Sequence, residues 1–176
     1  MKFKILLFFK KNKMLIEKRV CVRPEFLDSN IRVYIEKKIR DNYTNDCTKD
    51  IGYITSIKKI VKIKDNYLSN SCSDIVFEVI IDIENIKPDI GSIFKGNVCM
   101  IFQDGILVNV QNIMKVLIPL NSLKNYILEN NEFILEESES EVQDKYKKIQ
   151  INDELQVKII GSKYTRKNYA CFGELC

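Results

Sequence analysis

The chain has 176 residues and a mass of 20.6 kDa, room for one ordinary domain or two small ones, and its 45% hydrophobic and 30% charged residues exclude a disordered chain or a collagen-like fibre. It contains no histidine and no tryptophan, which removes Ser-His and Cys-His catalytic pairs, imidazole acid–base chemistry and His-bound zinc. Ile (27), Lys (23) and Asn (16) are abundant against one Ala and 5 Arg, the bias of AT-rich codons, so the net charge of +4 bears on function only where charges cluster.

From the N-terminus, the apolar run Ile5 to Phe9 meets Lys10, Lys11 and Lys13, too short and too quickly charged for a signal-peptide core. No run approaches the roughly 18 apolar residues of a membrane span. The expectation is an intracellular, reducing compartment with no membrane partner. The six cysteines, spaced by 26, 25, 27, 72 and 5 residues with no C-x-x-C pair, are then mostly buried, inert thiols rather than metal ligands.

Residues 14–22 predict a strand with Ile16, Val20 and Val22 on one face. After Pro24 a helix follows, capped by Asp28 or Ser29, with Ile31, Tyr34, Ile35 and Ile39 on its apolar side. Strands return over 51–63, polar residues 64–73 predict a loop, and Ile75, Phe77, Val79, Ile81 and Ile83 alternate along another strand. That apolar face suggests a sheet edge that wants covering.

The pattern breaks at Lys87-Pro88, which sets the expected division: 1–86 and 87–176. The second half predicts strands at 92–102, 106–110 and 114–119, with a tight turn at Asp104-Gly105. A short helix is expected over 120–128, then a polar insertion, 129–144, with seven acidic residues and no basic one. Strands at 155–160 and 169–175 complete a five-strand outline of an OB-fold barrel. The fold class expected is α+β and mostly β, a sheet-and-helix domain followed by the barrel. Residues 1–86 carry 17 basic and 12 acidic side chains, and 87–176 carry 11 and 12. Without its acidic insertion the barrel is basic. The run Glu136 to Glu141 lacks the turn glycine and ligand period of a calcium loop and predicts a solvated loop.

Read in order, Arg19-Val20-Cys21-Val22-Arg23-Pro24, Cys47-Thr48-Lys49-Asp50-Ile51-Gly52-Tyr53-Ile54, Lys87-Pro88 with Gly91 and Gly96, Val157 to Gly161, and Tyr169 to Leu175 form a recognisable series. It resembles the stalk subunit of DNA-directed RNA polymerase, the seventh subunit of RNA polymerase II and its archaeal counterpart. The composition suggests a version from a large DNA virus with an AT-rich genome, for which the nucleus, a cytoplasmic viral factory or the virion are the expected compartments.

The resemblance implies a ribonucleoprotein-like N-terminal domain that docks on polymerase core subunits and pairs with a smaller stalk partner. It also implies an OB-fold domain that contacts nascent RNA. No catalytic residue, metal or cofactor is implied. Pro24, Phe26, Gly52 and Tyr53 are the docking candidates, although the same residues also suit plain turns. The RNA candidates are Lys95, Phe102, Lys115, Lys158, Lys163, Tyr164, Arg166, Lys167 and Tyr169, because single-strand binding needs cations for phosphates and aromatic faces for bases. The interleaved run 163–169 is the strongest, against a plain solvated hairpin turn. In barrels of this type an aromatic usually follows the first-hairpin glycine, but Gly105 is followed by Ile106, Leu107 and Val108, so weak, sequence-tolerant RNA binding is expected. The alternative is a free-standing OB-fold RNA-binding or translation-initiation-type protein.

Overall fold

The computed structural model describes residues 12–69, 73–123, 126–130, 132–135 and 148–176. The chain divides between Lys87 and Pro88 into two compact units, mostly β with one α-helix among the described residues. Three sequence features fall outside the described residues: Ile5 to Phe9, Cys72 and the acidic run Glu136 to Glu141.

In the first unit β1 (Asn12–Val22), β2 (Cys47–Thr48), β3 (Gly52–Leu68) and β4 (Ile75–Ile86) make an antiparallel sheet in the order β1-β4-β3-β2. The alternation in β4 places Val79, Ile81 and Ile83 on one face, fully buried, where they share a core with Val20 of β1 and with Ile35 and Ile39 of α1 (Ile31–Tyr43). β4 is therefore central and its apolar face is already covered, which corrects the expectation of an open edge there.

The helix also reaches carbonyls on both flanking strands. Lys38 Nζ donates to Cys21 O at 2.9 Å and Tyr43 Oη to Arg19 O at 2.8 Å on β1; Arg40 Nη1 donates to Ile57 O at 2.8 Å and Arg32 Nη2 to Ile60 O at 3.4 Å on β3. These four backbone acceptors are thus taken up from within the unit. The helix N-cap is Asn30, not Asp28 or Ser29; Asp28 Oδ1 instead accepts the Asn30 N–H at 2.8 Å, and the helix begins where the buried stripe begins.

β3 departs from the expected loop over 64–73. It runs to Leu68 because Asp65, Asn66, Tyr67 and Leu68 stay paired with Glu78, Phe77, Val76 and Ile75. Residues 64–68 are exposed, so their polarity reports solvent contact and not a loop. Along β3 the register slips at Ile54/Ser56, Ile57/Lys59, Ile60/Lys62 and Ile63/Asp65. Three residues of β3 therefore advance for every two of β4. Ile54, Ile57, Ile60 and Ile63 stand opposite Asn85, Ile83, Ile81 and Val79, and the serial bulges coil the ribbon.

In the second unit β5 (Ile93–Phe102), β6 (Gly105–Val110), β7 (Met114–Pro119), β11 (Glu154–Thr165) and β12 (Asn168–Leu175) close a barrel in the order β11-β12-β7-β6-β5. Its interior is filled by alternate residues such as Val98, Ile106, Val108, Val116, Val157 and Ile159, all fully buried. The strands are antiparallel except for β12 against β7. β8 (Tyr126–Glu129), β9 (Glu132–Leu135) and β10 (Lys148–Ile149) form a separate antiparallel sheet.

The helix expected over 120–128 is instead a 3-10 turn, Leu120–Ser122, followed by β8. Leu120, Leu123, Ile127 and Leu128 fit a helical period, but from Tyr126 the burial alternates and β9 supplies the pairing partner. The same sheet places Glu132–Leu135 of the polar insertion in a strand. Of the described thiols, Cys47 and Cys171 are buried, Cys99 is half-buried, and Cys21 and Cys176 are exposed. Fewer are sequestered than the sequence suggests.

Candidate nucleic-acid interface

The β11–β12 hairpin carries the basic run. Thr165 and Asn168 are its last pair, and Arg166 and Lys167 form the two-residue turn with φ of 50° and 63°. Both central residues of such a turn are left-handed, for which Asn-Gly is the relaxed choice. Placing Arg and Lys there costs about 1–2 kcal/mol per residue and sets two exposed cations at the tip. Lys163 pairs with Ala170 and rises on the outer face. Tyr164 pairs with Tyr169 on the other side, ring centroids 5.3 Å apart and tilted by 61°. Tyr169 is only 8% exposed and packs against Tyr164, and it also lines the groove beside the hairpin.

Beside this hairpin a groove of about 420 Å³ lies on the outer barrel surface, lined by Leu107, Lys115, Leu117, Thr165, Ala170 and Phe172 among others. Strand register explains it. Leu107 of β6 stands opposite Leu117 of β7, which stands opposite Phe172 of β12, giving a continuous apolar row. Phe172 is 46% exposed, and Lys115 is exposed on the adjacent row. An aromatic face, an aliphatic floor and neighbouring cations are what single-stranded nucleic acid requires. Sequence reasoning missed Phe172. The signal was present: inward Tyr169, Cys171 and Gly173 leave Phe172 pointing out.

The remaining candidates are scattered. Phe102, 44% exposed, sits at the hairpin end of β5 outside the groove lining. Lys95 is ion-paired with Glu154 at 2.9 Å and Lys158 with Glu174 at 2.8 Å, and neither lines the groove. The Glu174 carboxylate, through its hydrogen bond and then its charge, raises the Lys158 pKa. After Gly105, the residue that enters the groove is the aliphatic Leu107.

The docking candidates are not brought together. Pro24 and Phe26 form a 3-10 turn just beyond Val22, which pairs with Ile75, whereas Tyr53 pairs with Ile86. They therefore lie near opposite ends of β4, roughly 35 Å apart at 3.3 Å per residue. Pro24 is exposed, and Phe26 is half-buried with its ring 4.8 Å from that of Tyr34. Gly52 and Tyr53 are buried. Gly52 has φ of +82°, and a Cβ there would run into the Ile86 carbonyl, so the fold alone demands this glycine.

Residues 17–78 match the SHS2 domain found in the N terminus of Rpb7p/Rpc25p/MJ0397, and residues 87–170 match the S1 RNA binding domain. In this order they are the two domains of the Rpb7-type stalk subunit. The chain matches that domain order. Its barrel is accordingly an S1 domain of OB type. Comparison with curated proteins returns no match. Among solved structures, Mycoplasma genitalium RNase R is similar both in its apo form and in complex with ribose methylated single-stranded RNA. Each shows 20% identity and a TM-score of 0.38 over 49% of this chain and 13% of that one. GSP13 from Bacillus subtilis is similar at 17% identity and a TM-score of 0.32, over 49% of this chain and 55% of that one. The chain thus spans about an eighth of the length of RNase R and just over half of GSP13.

Proposed function

We propose that this Rpb7-type chain is a non-catalytic stalk subunit of a multisubunit DNA-directed RNA polymerase. It docks through its SHS2 domain together with a smaller partner subunit, and its S1 domain contacts the nascent transcript. The succession of SHS2 and S1 domains along one chain carries the reading. The groove supports the RNA half of it: Phe172 supplies a stacking face, Leu107 and Leu117 a floor, and Lys115, Lys163, Arg166 and Lys167 the phosphate contacts.

For the polymerase contact, the exposed Pro24 and Leu27 are the better-suited end, since Gly52 and Tyr53 are consumed by the packing of the sheet. Affinity capture of the epitope-tagged chain from its native source tests the assignment. The two large polymerase subunits and one small partner should be recovered in near-equal amounts. A chain recovered alone, or only with RNA, would favour a free-standing RNA-binding protein.

A further inference from the structure

One long edge of the first unit's sheet is open. β1 is terminal in the strand order, and it pairs with β4 alone, residue for residue, from Asn12 opposite Asn85 to Val22 opposite Ile75 without a bulge. Arg19 O and Cys21 O accept from Tyr43 and Lys38 of the helix, so these carbonyls point away from β4. Backbone direction alternates along an antiparallel ladder, and Lys13, Leu15 and Glu17 therefore also turn their N–H and C=O groups outward. The helix side chains close the edge at Arg19 and Cys21. From Asn12 to Lys18, among the described residues, no strand pairs with it.

A regular, uncovered edge is a template for another strand, and the order of side chains selects the strand. With two copies of Asn12–Lys18 laid antiparallel about Leu15, Lys13 faces Glu17 of the second copy at either end, Leu15 faces Leu15, and Met14 faces Ile16. The residues whose backbone groups point outward then meet one another, as a hydrogen-bonded ladder requires. Both charged pairs are of opposite sign, which favours the pairing. Leu15, 61% exposed, and Met14, 43% exposed, gain apolar neighbours. Pairing about Leu15 also ends at Lys18, the last residue before the helix takes over the edge. The open edge of β3 beyond Ile60 suits self-pairing less well. It is broken by bulges at Ile60/Lys62 and Ile63/Asp65, and it carries Lys62 and Lys64 close together.

We propose that the unassembled chain forms a two-fold dimer in which β1 pairs with β1 of a second copy over Asn12–Lys18, joining the two sheets into one. The dimer concerns the chain on its own and is independent of the polymerase and RNA readings. One short strand pair is a small interface, so the dimer is reversible, with a dissociation constant on the order of 10 µM.

Sedimentation equilibrium of the full chain, from about 1 to about 300 µM, tests it. Monomer should give way to dimer and to nothing larger. Leu15→Pro removes an outward N–H that β4 does not use, a position where an edge strand tolerates proline, and should leave a monomer throughout. K13E sets carboxylates against each Glu17, and E17K sets lysines against each Lys13; either change should weaken self-association by about tenfold. An equimolar mixture of K13E and E17K regains both opposite-charge pairs and should dimerise about as well as the wild type. Because E17K also gives up the ion pair of Glu17 with Lys64 at 2.7 Å, the mixture is the deciding arm, and its association shows that both variants are folded. A wild type that stays monomeric over the whole range, a dimer that survives Leu15→Pro, or a mixture no more associated than its components would overturn the pairing.

Discussion

Phe172 of β12 lies directly opposite Leu117 of β7, in the parallel pairing of these strands within the barrel, and Phe172 is nearly half-exposed. An exposed aromatic contributes little to the core, so its removal should separate binding from folding. Phe172→Ala should weaken binding of single-stranded RNA by about tenfold, the scale of one missing base–aromatic stack. Its thermal midpoint should stay within a few degrees of wild type. Phe172→Tyr should restore binding. Anisotropy and thermal melts on the same samples check both halves.

The strained tip predicts a trade between stability and binding. Replacing Arg166-Lys167 by Asn-Gly relaxes two left-handed residues and removes two cations. The melting temperature should rise while RNA affinity falls. The slope of log affinity against log salt should shrink by about 1.4, at about 0.7 for each phosphate of a single strand that is no longer neutralised. An unchanged slope would mean that the tip does not touch RNA.

Gly173 faces inward between β11 and β7. A Cβ there would overlap a methyl of Val157, lie 2.8 Å from Val116 Cγ1 and 3.0 Å from the Lys158 carbonyl. Gly173→Ala should cost about 1–3 kcal/mol through overpacking. At Gly161 the nearest atom would be Phe172 Cβ at 3.9 Å, and Gly161→Ala should be close to neutral. Denaturant melts of the two variants test the contrast.

The thiols predict a labelling pattern. Burial, and then the Asp46 charge, push Cys47 up to about 11, so at pH 8 about a thousandth of it is thiolate, the reactive form. Brief iodoacetamide treatment at that pH should modify the exposed Cys21 and Cys176 and leave Cys47 and Cys171 intact. Because the raised pKa belongs to the folded state, unfolding should speed Cys47 modification sharply. Peptide mass spectrometry distinguishes the sites.

What was legible in the sequence was periodicity. The alternation in β4, the stripe Ile31, Ile35, Ile39 and the five barrel strands were all readable because burial on one face imposes a period. Two misreadings share a cause. Residues 64–68 are strand because β4 pairs with them, and Tyr126–Glu129 are strand because β9 does; in each case the next strand along supplies the partner, and the pairing rather than the segment's own composition decides its state. The threefold spacing of Ile54, Ile57, Ile60 and Ile63 fits neither a regular strand nor a full helical face, and only serial bulges against β4 account for it.

The site was less legible than the fold. Charge and aromaticity marked Lys163 to Tyr169, but the sequence could not show that Glu154 and Glu174 occupy Lys95 and Lys158. The apolar row arises from register across separate strands, which no local motif encodes.

The stalk assignment and its RNA contact meet in one experiment, photo-crosslinking of a 4-thiouridine-labelled nascent transcript within the assembled polymerase. Crosslinks to this chain should form once the transcript has emerged, and should map to the groove peptides that contain Lys115 and Phe172. Crosslinks confined to the large subunits, with this chain present and unlabelled, would contradict it.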